Sequence, residues 1–481
     1  MTKIWTDIAS LHSLYRSGDL TPSSVVSWYL DRIDKYNPKL NIYLTITKDE
    51  ALTLAKNQDL ELKKDLSVLD HKRLFGVPVA FKDIYMTKGV RTTAASKVLD
   101  NHIAQYDSTV VEKYREAGAI MLGKLNCDAW AHGSTGENSD FGPTRNPWDP
   151  DYVAGGSSSG SAAAIAADLA MVTGGTDTGG SIRCPASFCS VLGLKPTYSR
   201  VSRYGVIAMA SSLDSVGHFT RFATDNARVL SVTAGFDSHD VTSSKLPLDN
   251  YSDFKRTDLK GLKIGIPREY MTRGSKMTDG MDAEVETSVE KTLVELEKTL
   301  GATVVDISLP NTPHALAAYY IIQPAEVSSN LARYDGIRFG NDRKTFGSEA
   351  KRRIILGTYT LSSGYYDAYY NTAQKIRTLI IEDFKQAFLK VDLIMAPVMP
   401  HLPFKIGQKV SDPLPLYLED VLTVPVNLAG LPAISMPIDI LDKKFPVGLQ
   451  VIAPAFQEKL LLEVANVYQQ ATAWHTYEPS L

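Results

Sequence analysis

Cysteine is scarce in this chain: three residues among 481, at Cys127, Cys184 and Cys189. The number is odd and no C-x-x-C occurs, which argues against a disulfide scaffold and points to a reducing compartment. The nine histidines form no H-x-x-x-H or similar pair, so metal ligation is not expected. No apolar run approaches the length of a membrane span. Met1-Thr2-Lys3-Ile4-Trp5-Thr6-Asp7 resembles no targeting signal, and we expect a cytoplasmic protein. A dense Lys/Arg block is missing too: 51 basic side chains against 54 acidic ones leave a net charge of -3. That is not a nucleic-acid footprint, so if the protein serves RNA, something else holds the RNA. The densest basic cluster, Lys351-Arg352-Arg353, reads by itself as a solvated helix face. Internal repeats and low-complexity tails are also lacking.

What is present is an ordinary globular composition, 44% hydrophobic and 22% charged. The length suggests two or three domains or one large α/β body, with ample chain to bury a core. Residues 7–17 carry Ile8, Leu11, Leu14 and Tyr15 at helical spacing. Thr21 and Pro22 start a second helix, expected to stop at Asn37-Pro38. A third, charged helix covers 49–65. Leu74 to Phe81 reads as a strand in which Pro78 implies an edge or irregular position. A helix capped by Asp107 or Ser108 follows, ending at Gly118, and then a short strand from Ala119 to Leu122. This βα alternation implies a largely parallel sheet. Val191 to Arg221 is rich in Gly, Ser and Arg and reads as irregular, and 236–260 as a surface excursion. Strands at 262–267, 304–307, 392–396 and 447–452 alternate with helices at 282–300, 365–390 and 457–471. Between the last two strands lies a buried-looking run from Val424 to Met436.

The chemistry concentrates between Gly155 and Arg183. Ser181 follows two glycines in Asp177-Thr178-Gly179-Gly180-Ser181-Ile182-Arg183. Glycines let a nucleophile's loop turn tightly and clear space for substrate beside bare backbone. N–H groups from Thr178, Gly179, Gly180 and Ser181 can converge as an oxyanion hole, each donor worth ~2.7–4 kcal/mol in rate. Read alone, the segment is equally a Gly-rich turn. A serine nucleophile needs a base, usually histidine. His132 and His218 lie in no triad motif, and no G-x-S-x-G elbow exists. Lys82 is the other candidate, at the end of an apolar strand. Bringing a lysine from its usual value of about 10.4 to neutrality by burial costs roughly 4 kcal/mol. Ser157, after Gly155-Gly156 and before a small-residue helix from Ala162 to Ala170, is a third candidate. A phosphate loop is the competing reading there, but Ser161 is followed by alanines where a P-loop needs its lysine.

Lys82, then Ser157 75 residues on, then Ser181 24 residues beyond it, resemble the amidase signature family in order and spacing. The resemblance implies Ser181 as nucleophile, Ser157 as relay serine held in a cis peptide, and Lys82 as neutral base. It implies an α/β fold with a large mixed central sheet covered by helices on both faces. One amidase domain then spans 1–481, with helices of about 1–70 packing on a catalytic core of about 71–235 and the remainder completing sheet and pocket. Ser159 departs from the family, which usually has glycine there, and the segment between Tyr320 and Arg353 looks short. Gly217-His218-Phe219-Thr220-Arg221 also differs from the usual pattern.

Within the family, Leu194-Lys195-Pro196-Thr197-Tyr198, Arg200-Val201-Ser202-Arg203-Tyr204-Gly205 and Ser363-Gly364-Tyr365-Tyr366-Asp367-Ala368-Tyr369-Tyr370 are similar to the glutamine-hydrolysing members of glutamyl-tRNA(Gln) amidotransferases. That branch implies glutamine as substrate, with Arg353 for its carboxylate, Asp420 for its ammonium and Tyr319 in the pocket. It implies a heterotrimer in which this chain joins a tRNA-binding kinase/transamidase and a small linker protein. The chain itself then binds no cofactor, ATP and Mg are used by the partner, tRNA is met only indirectly, and no membrane is involved. A free-standing amidase acting on another small, aryl or fatty amide stays open as the alternative.

Overall fold

The helix from Pro22 to Leu40 begins as the sequence implies, with Thr21 capping it and Pro22 in its first turn. It does not stop at Asn37-Pro38 but runs through Pro38 to Leu40. Asn41 closes it in the left-handed conformation (φ 52°), and its N–H donates to Asn37 O at 2.8 Å. The Asn37 side chain accepts from Ile42 and Tyr43 N–H at 2.8 and 2.6 Å, so the donors beyond the proline find partners. The computed structural model describes residues 3–271, 280–338, 340–409 and 413–481.

Among the described residues eleven strands form one sheet: β1 (Tyr43–Ile46), β2 (Pro78–Lys82), β3 (Ile120–Leu125), β4 (Val172–Asp177), β5 (Leu192–Lys195), β6 (Ser215–Thr220), β7 (Lys263–Pro267), β8 (Thr303–Ile307), β9 (Leu393–Pro397), β10 (Ala433–Leu441) and β11 (Phe445–Ile452). Their order is β1-β3-β2-β4-β6-β5-β10-β11-β9-β7-β8. Pairing is parallel for β3-β2, β2-β4, β9-β7 and β7-β8. The other six pairings are antiparallel, so the expectation of a largely parallel sheet is corrected to a mixed one. Parallel pairs occur where strand and helix alternate at the flanks; the centre is stitched by strands running in opposite directions.

Two strand expectations change with this topology. Pro78 does not mark an edge, because β2 lies between β3 and β4; it is the strand's first residue, a position that tolerates a missing N–H. Val191 to Arg221 is not irregular throughout, since it contributes β5 and β6 to the sheet centre. Its glycines serve close packing: a β-carbon on Gly217 would overlap Leu194 O on the neighbouring strand. The helices around the sheet bury Ile8, Leu11 and Tyr15 from the first helix, Val285, Val289 and Leu296 from the helix Ala283–Lys298, and Leu461, Leu462 and Val464 from the helix Glu458–Ala471. Among the described residues no helix is long and apolar enough to cross a membrane.

A helix pair that the periodicity does not reveal completes the site. Ala315–Leu331 and Ser348–Thr360 cross so closely that a β-carbon on Gly357 would overlap Pro324 O. That contact brings Arg353, one turn before Gly357, against Gln323. Lys351-Arg352-Arg353 is therefore not a uniformly solvated face: Lys351 and Arg352 are exposed, whereas Arg353 is buried.

Candidate active site

Lys82 ends β2, and Thr176 and Asp177 end its parallel neighbour β4, so the sheet delivers all three to one rim. This is where open α/β sheets place ligands, outside the carboxyl ends of parallel strands. Lys82 is fully buried, with Nζ 2.7 Å from Ser157 Oγ and 3.0 Å from Thr176 Oγ1. Burial lowers its pKa to about 8, against the opposing pull of the Asp128, Asp214 and Asp177 carboxylates. A lysine so placed is half neutral at about pH 8, and its neutral form can take a proton from the hydroxyl it touches.

Ser157 is presented by the loop before the helix Ser159–Ala166, and the Gly156–Ser157 peptide is cis. The loop's other serines anchor it to β4: Ser158 Oγ donates to Thr176 O at 3.1 Å and Ser161 Oγ to Gly174 O at 2.9 Å. Ser159 does not crowd the loop. Its hydroxyl bonds Thr144 Oγ1 at 3.0 Å, and its β-carbon occupies the space that Gly136, by lacking one, leaves open.

The turn that carries Ser181 adjoins this loop, where Ser158 N–H donates to Ser181 O at 3.2 Å. Lys82 and Ser157 are wholly enclosed, while Ser181 keeps 8% exposure. Asp177 organises the turn by accepting N–H groups from Gly180 (2.9 Å), Ile182 (3.1 Å) and Arg183 (3.3 Å). The N–H of Gly180, one of the four expected oxyanion donors, is thus already committed to Asp177. Those of Thr178, Gly179 and Ser181 have no acceptor among the described residues. Gly180 sits at φ 141°, and a β-carbon there would overlap Thr423 Oγ1, so only glycine fits.

Beneath the turn lies a buried ion pair that the sequence alone does not single out. Arg183 donates from Nε and Nη2 to the two Asp177 oxygens, both at 3.1 Å, and reaches Gln450 Oε1 at 2.9 Å and Asn427 Oδ1 at 2.5 Å. Burial alone raises Asp177, but the guanidinium outweighs it and brings the carboxyl to about 2. The motif's own Asp and Arg, six residues apart, are the available signal.

Arg353 and Asp420 are brought together through Tyr320. The Tyr320 hydroxyl donates to Asp420 Oδ2 at 3.0 Å, and the Arg353 guanidinium lies 5.2 Å from the Tyr320 ring centre. Arg353 is fixed by Glu349 Oε1 (2.7 Å) and Gln323 Oε1 (2.8 Å), while its Nη2 has no acceptor among the described residues. A cavity of about 250 Å³ opens beside it, walled by Ser134, Thr135, Tyr320, Glu349, Arg353 and Tyr417. Asp420 does not line this cavity but stands behind Tyr320 at its hydroxyl, where burial pushes its carboxyl up to about 7. Tyr319 turns the other way: its ring packs on the Gly179–Ser181 turn, 2.8 Å from where a β-carbon on Gly179 would stand. Neither histidine is hydrogen-bonded to a candidate serine. His218 meets Thr233 Oγ1 at 3.1 Å, and His132 is buried with both ring nitrogens unpartnered among the described residues. The described residues contain no group of three or more potential metal ligands.

A family model described as amidase matches residues 24–462. The chain belongs to the amidase family. It is 51% identical, over 489 aligned positions, to the A-type component of glutamyl-tRNA(Gln) amidotransferase of Geobacter metallireducens, covering 98% of this chain and 99% of that one. A crystal structure of the corresponding glutamyl-tRNA(Gln) amidotransferase component from Thermotoga maritima is 36% identical, with TM-score 0.77 and 95% of each chain covered. A substrate complex of 6-aminohexanoate cyclic dimer hydrolase, 24% identical with TM-score 0.87 over 100% of this chain and 99% of that one, shares the fold. The chain is an amidase-family enzyme.

Proposed function

We propose that this amidase hydrolyses the side-chain amide of glutamine and supplies the ammonia to a tRNA-dependent amidotransferase, which converts Glu-tRNA(Gln) to the amidated form. The full-length likeness to amidotransferase components of that name supports the class of enzyme. The observation that carries glutamine is the arrangement around Tyr320: a guanidinium with an open edge over its ring and a carboxyl at its hydroxyl. A zwitterionic amino acid needs that pair; an aryl or fatty amide has no use for it.

In this reading neutral Lys82 takes a proton from Ser157 as Ser157 takes one from Ser181, and Ser181 Oγ attacks the glutamine carboxamide carbon. The free N–H groups of Thr178, Gly179 and Ser181 receive the oxyanion. The proton returns through Ser157 to the departing nitrogen, ammonia leaves, and water then releases glutamate from the Ser181 ester. Asp177 and Arg183 hold the turn rigid throughout. The partners are a tRNA-binding kinase/transamidase and a small linker protein; ATP and Mg are used by the kinase, and this chain meets tRNA only indirectly.

Purification of the chain with its native partners tests the reading. It predicts glutamine hydrolysis, and transfer of the ammonia to misacylated tRNA in the presence of ATP. A preparation inert towards glutamine yet active on aryl or fatty amides would establish the free-standing alternative instead.

A further inference from the structure

Asp128 is a fully buried carboxylate that neither the motif nor the relay accounts for. It stands between two loops. One is the relay loop, whose Ser157 carbonyl accepts the Asp128 N–H at 3.1 Å. The other is the pocket wall, residues 133–138, from which Gly136 N–H donates to Asp128 Oδ2 at 3.1 Å and Asn138 N–H to Oδ1 at 2.8 Å. Both loops close on the carboxylate through glycine. A β-carbon on Gly156 would overlap Oδ2, and one on Gly133 would lie 2.7 Å from Cγ. The two loops also bond each other, Gly156 N–H to Ser134 O at 2.7 Å. The wall they form carries Ser134, Thr135, Glu137 and Asn138 along the cavity facing Arg353.

No cation pairs with Asp128 within ion-pair distance among the described residues. The basic group that feels it is the Lys82 amine, which faces Asp128, Asp177 and Asp214, the Cys127 thiol, and the imidazole of His132. Asp177 is neutralised by Arg183. Asp214 is held by Thr178 Oγ1 at 2.7 Å and by the N–H groups of Met209 and Ala210. His132 is kept neutral by burial, and the thiol is pushed up to about 12. Asp128 itself titrates at about 6, raised by burial, so its charge is present at neutral pH.

We infer that Asp128 is a positioning residue for the relay: its N–H fixes Ser157, its carboxylate fixes the pocket wall, and its charge acts on the Lys82 amine. The inference rests on the Lys82–Ser157–Ser181 reading above. It reaches beyond that reading by joining the orientation of the relay serine and the shape of the substrate cavity to one side chain.

Two variants, Asp128→Asn and Asp128→Glu, separate its contributions in the complex purified with native partners. An amide at 128 accepts from only one of the two backbone donors and turns its own N–H2 against the other, and the charge is gone. For Asp128→Asn, kcat for glutamine falls about tenfold or more, with a smaller change in KM. The acid limb of its pH–kcat profile moves to lower pH by about half a unit or more, because Lys82 sheds its proton more readily without an anion beside it. Asp128→Glu keeps the charge and misplaces the oxygens, so kcat falls and the limb stays. A merely structural residue would not move the limb. Folded Asp128→Asn enzyme with an unmoved limb, whatever its kcat, overturns the inference. If Asp128→Asn does not fold, Asp128→Ser, which also removes the charge, decides: reduced kcat with the limb moved to lower pH supports the assignment, and an unmoved limb overturns it. A wild-type profile with no acid limb near pH 8 would instead sink the relay reading, and with it this inference.

Discussion

Arg183→Met leaves the Asp177 carboxylate buried among its backbone donors without a counter-ion, and the cost can be worked from the site itself. In the intact pair Asp177 titrates at about 2. Asp128, equally buried and also holding backbone N–H groups but no cation, titrates at about 6 and shows where Asp177 goes when unpaired. A swing from about 2 to about 6 corresponds to roughly 5 kcal/mol at neutral pH, within the usual range for breaking a buried pair. The sign follows from linkage. In the intact protein the folded value lies below the unfolded one of about 3.8, so Asp177 stabilises above pH 3.8 and the benefit is lost as pH falls towards 2. In the variant the folded value lies above the unfolded one, so ionised Asp177 destabilises. That penalty is complete above pH 6 and gone below about 4. The stability gap should therefore shrink by roughly 3 kcal/mol between pH 7 and pH 4, leaving about 2 kcal/mol. Unfolding entropy for a chain this long is about 1 kcal/mol per degree, so Tm falls about 5 °C at pH 7 and about 2 °C at pH 4. Scanning calorimetry of both proteins across that range measures it. Asp177→Asn combined with Arg183→Met should recover part of the loss. A gap of equal size at both pH values would refute the reasoning.

Lys82→Met should reduce glutamine turnover by a factor of about a thousand or more, and the wild-type rate should rise with pH through about 8 as Lys82 loses its proton. Steady-state assays from pH 6 to 9 check both. Gly156→Ala drives a β-carbon into Asp128 and should abolish turnover; an active, normally stable variant would show that the two loops separate easily. Arg353→Gln removes the cation over Tyr320 and should raise KM for glutamine by about tenfold or more, with kcat less affected. Equal losses in kcat and kcat/KM would mean that Arg353 acts in the transition state rather than in binding.

The parts of this enzyme legible in its sequence are those fixed by local chemistry. Thr21 and Pro22, Ser108 and Gly118 announce helix ends because capping is a matter of a few adjacent residues. Lys82, Ser157 and Ser181 can be ordered by spacing, and the sheet brings the first two to 2.7 Å. What escapes depends on distant partners. Val191 to Arg221 looks irregular because glycine hides strand periodicity, whereas Gly217 is small to admit Leu194 O. Arg353 reads as a surface charge because its burial comes from a helix crossing at Pro324 and Gly357. Tyr320 is hard to tell from Tyr319, since adjacent tyrosines on one helix are distinguished only by which neighbour each meets. Asp128 carries no signal, because its partners are backbone groups of two loops, the Ser157 carbonyl on one and the Gly136 and Asn138 N–H groups on the other.

The central claim is that Ser181 carries the acyl group from glutamine. Rapid acid quench of the complex during turnover, followed by peptide mass analysis, tests it directly. The account predicts a glutamyl ester on the peptide bearing Ser181, absent in Ser181→Ala, which should fold normally and hydrolyse no glutamine. Steady glutamine hydrolysis by Ser181→Ala, or an acyl group trapped on another residue, would contradict it.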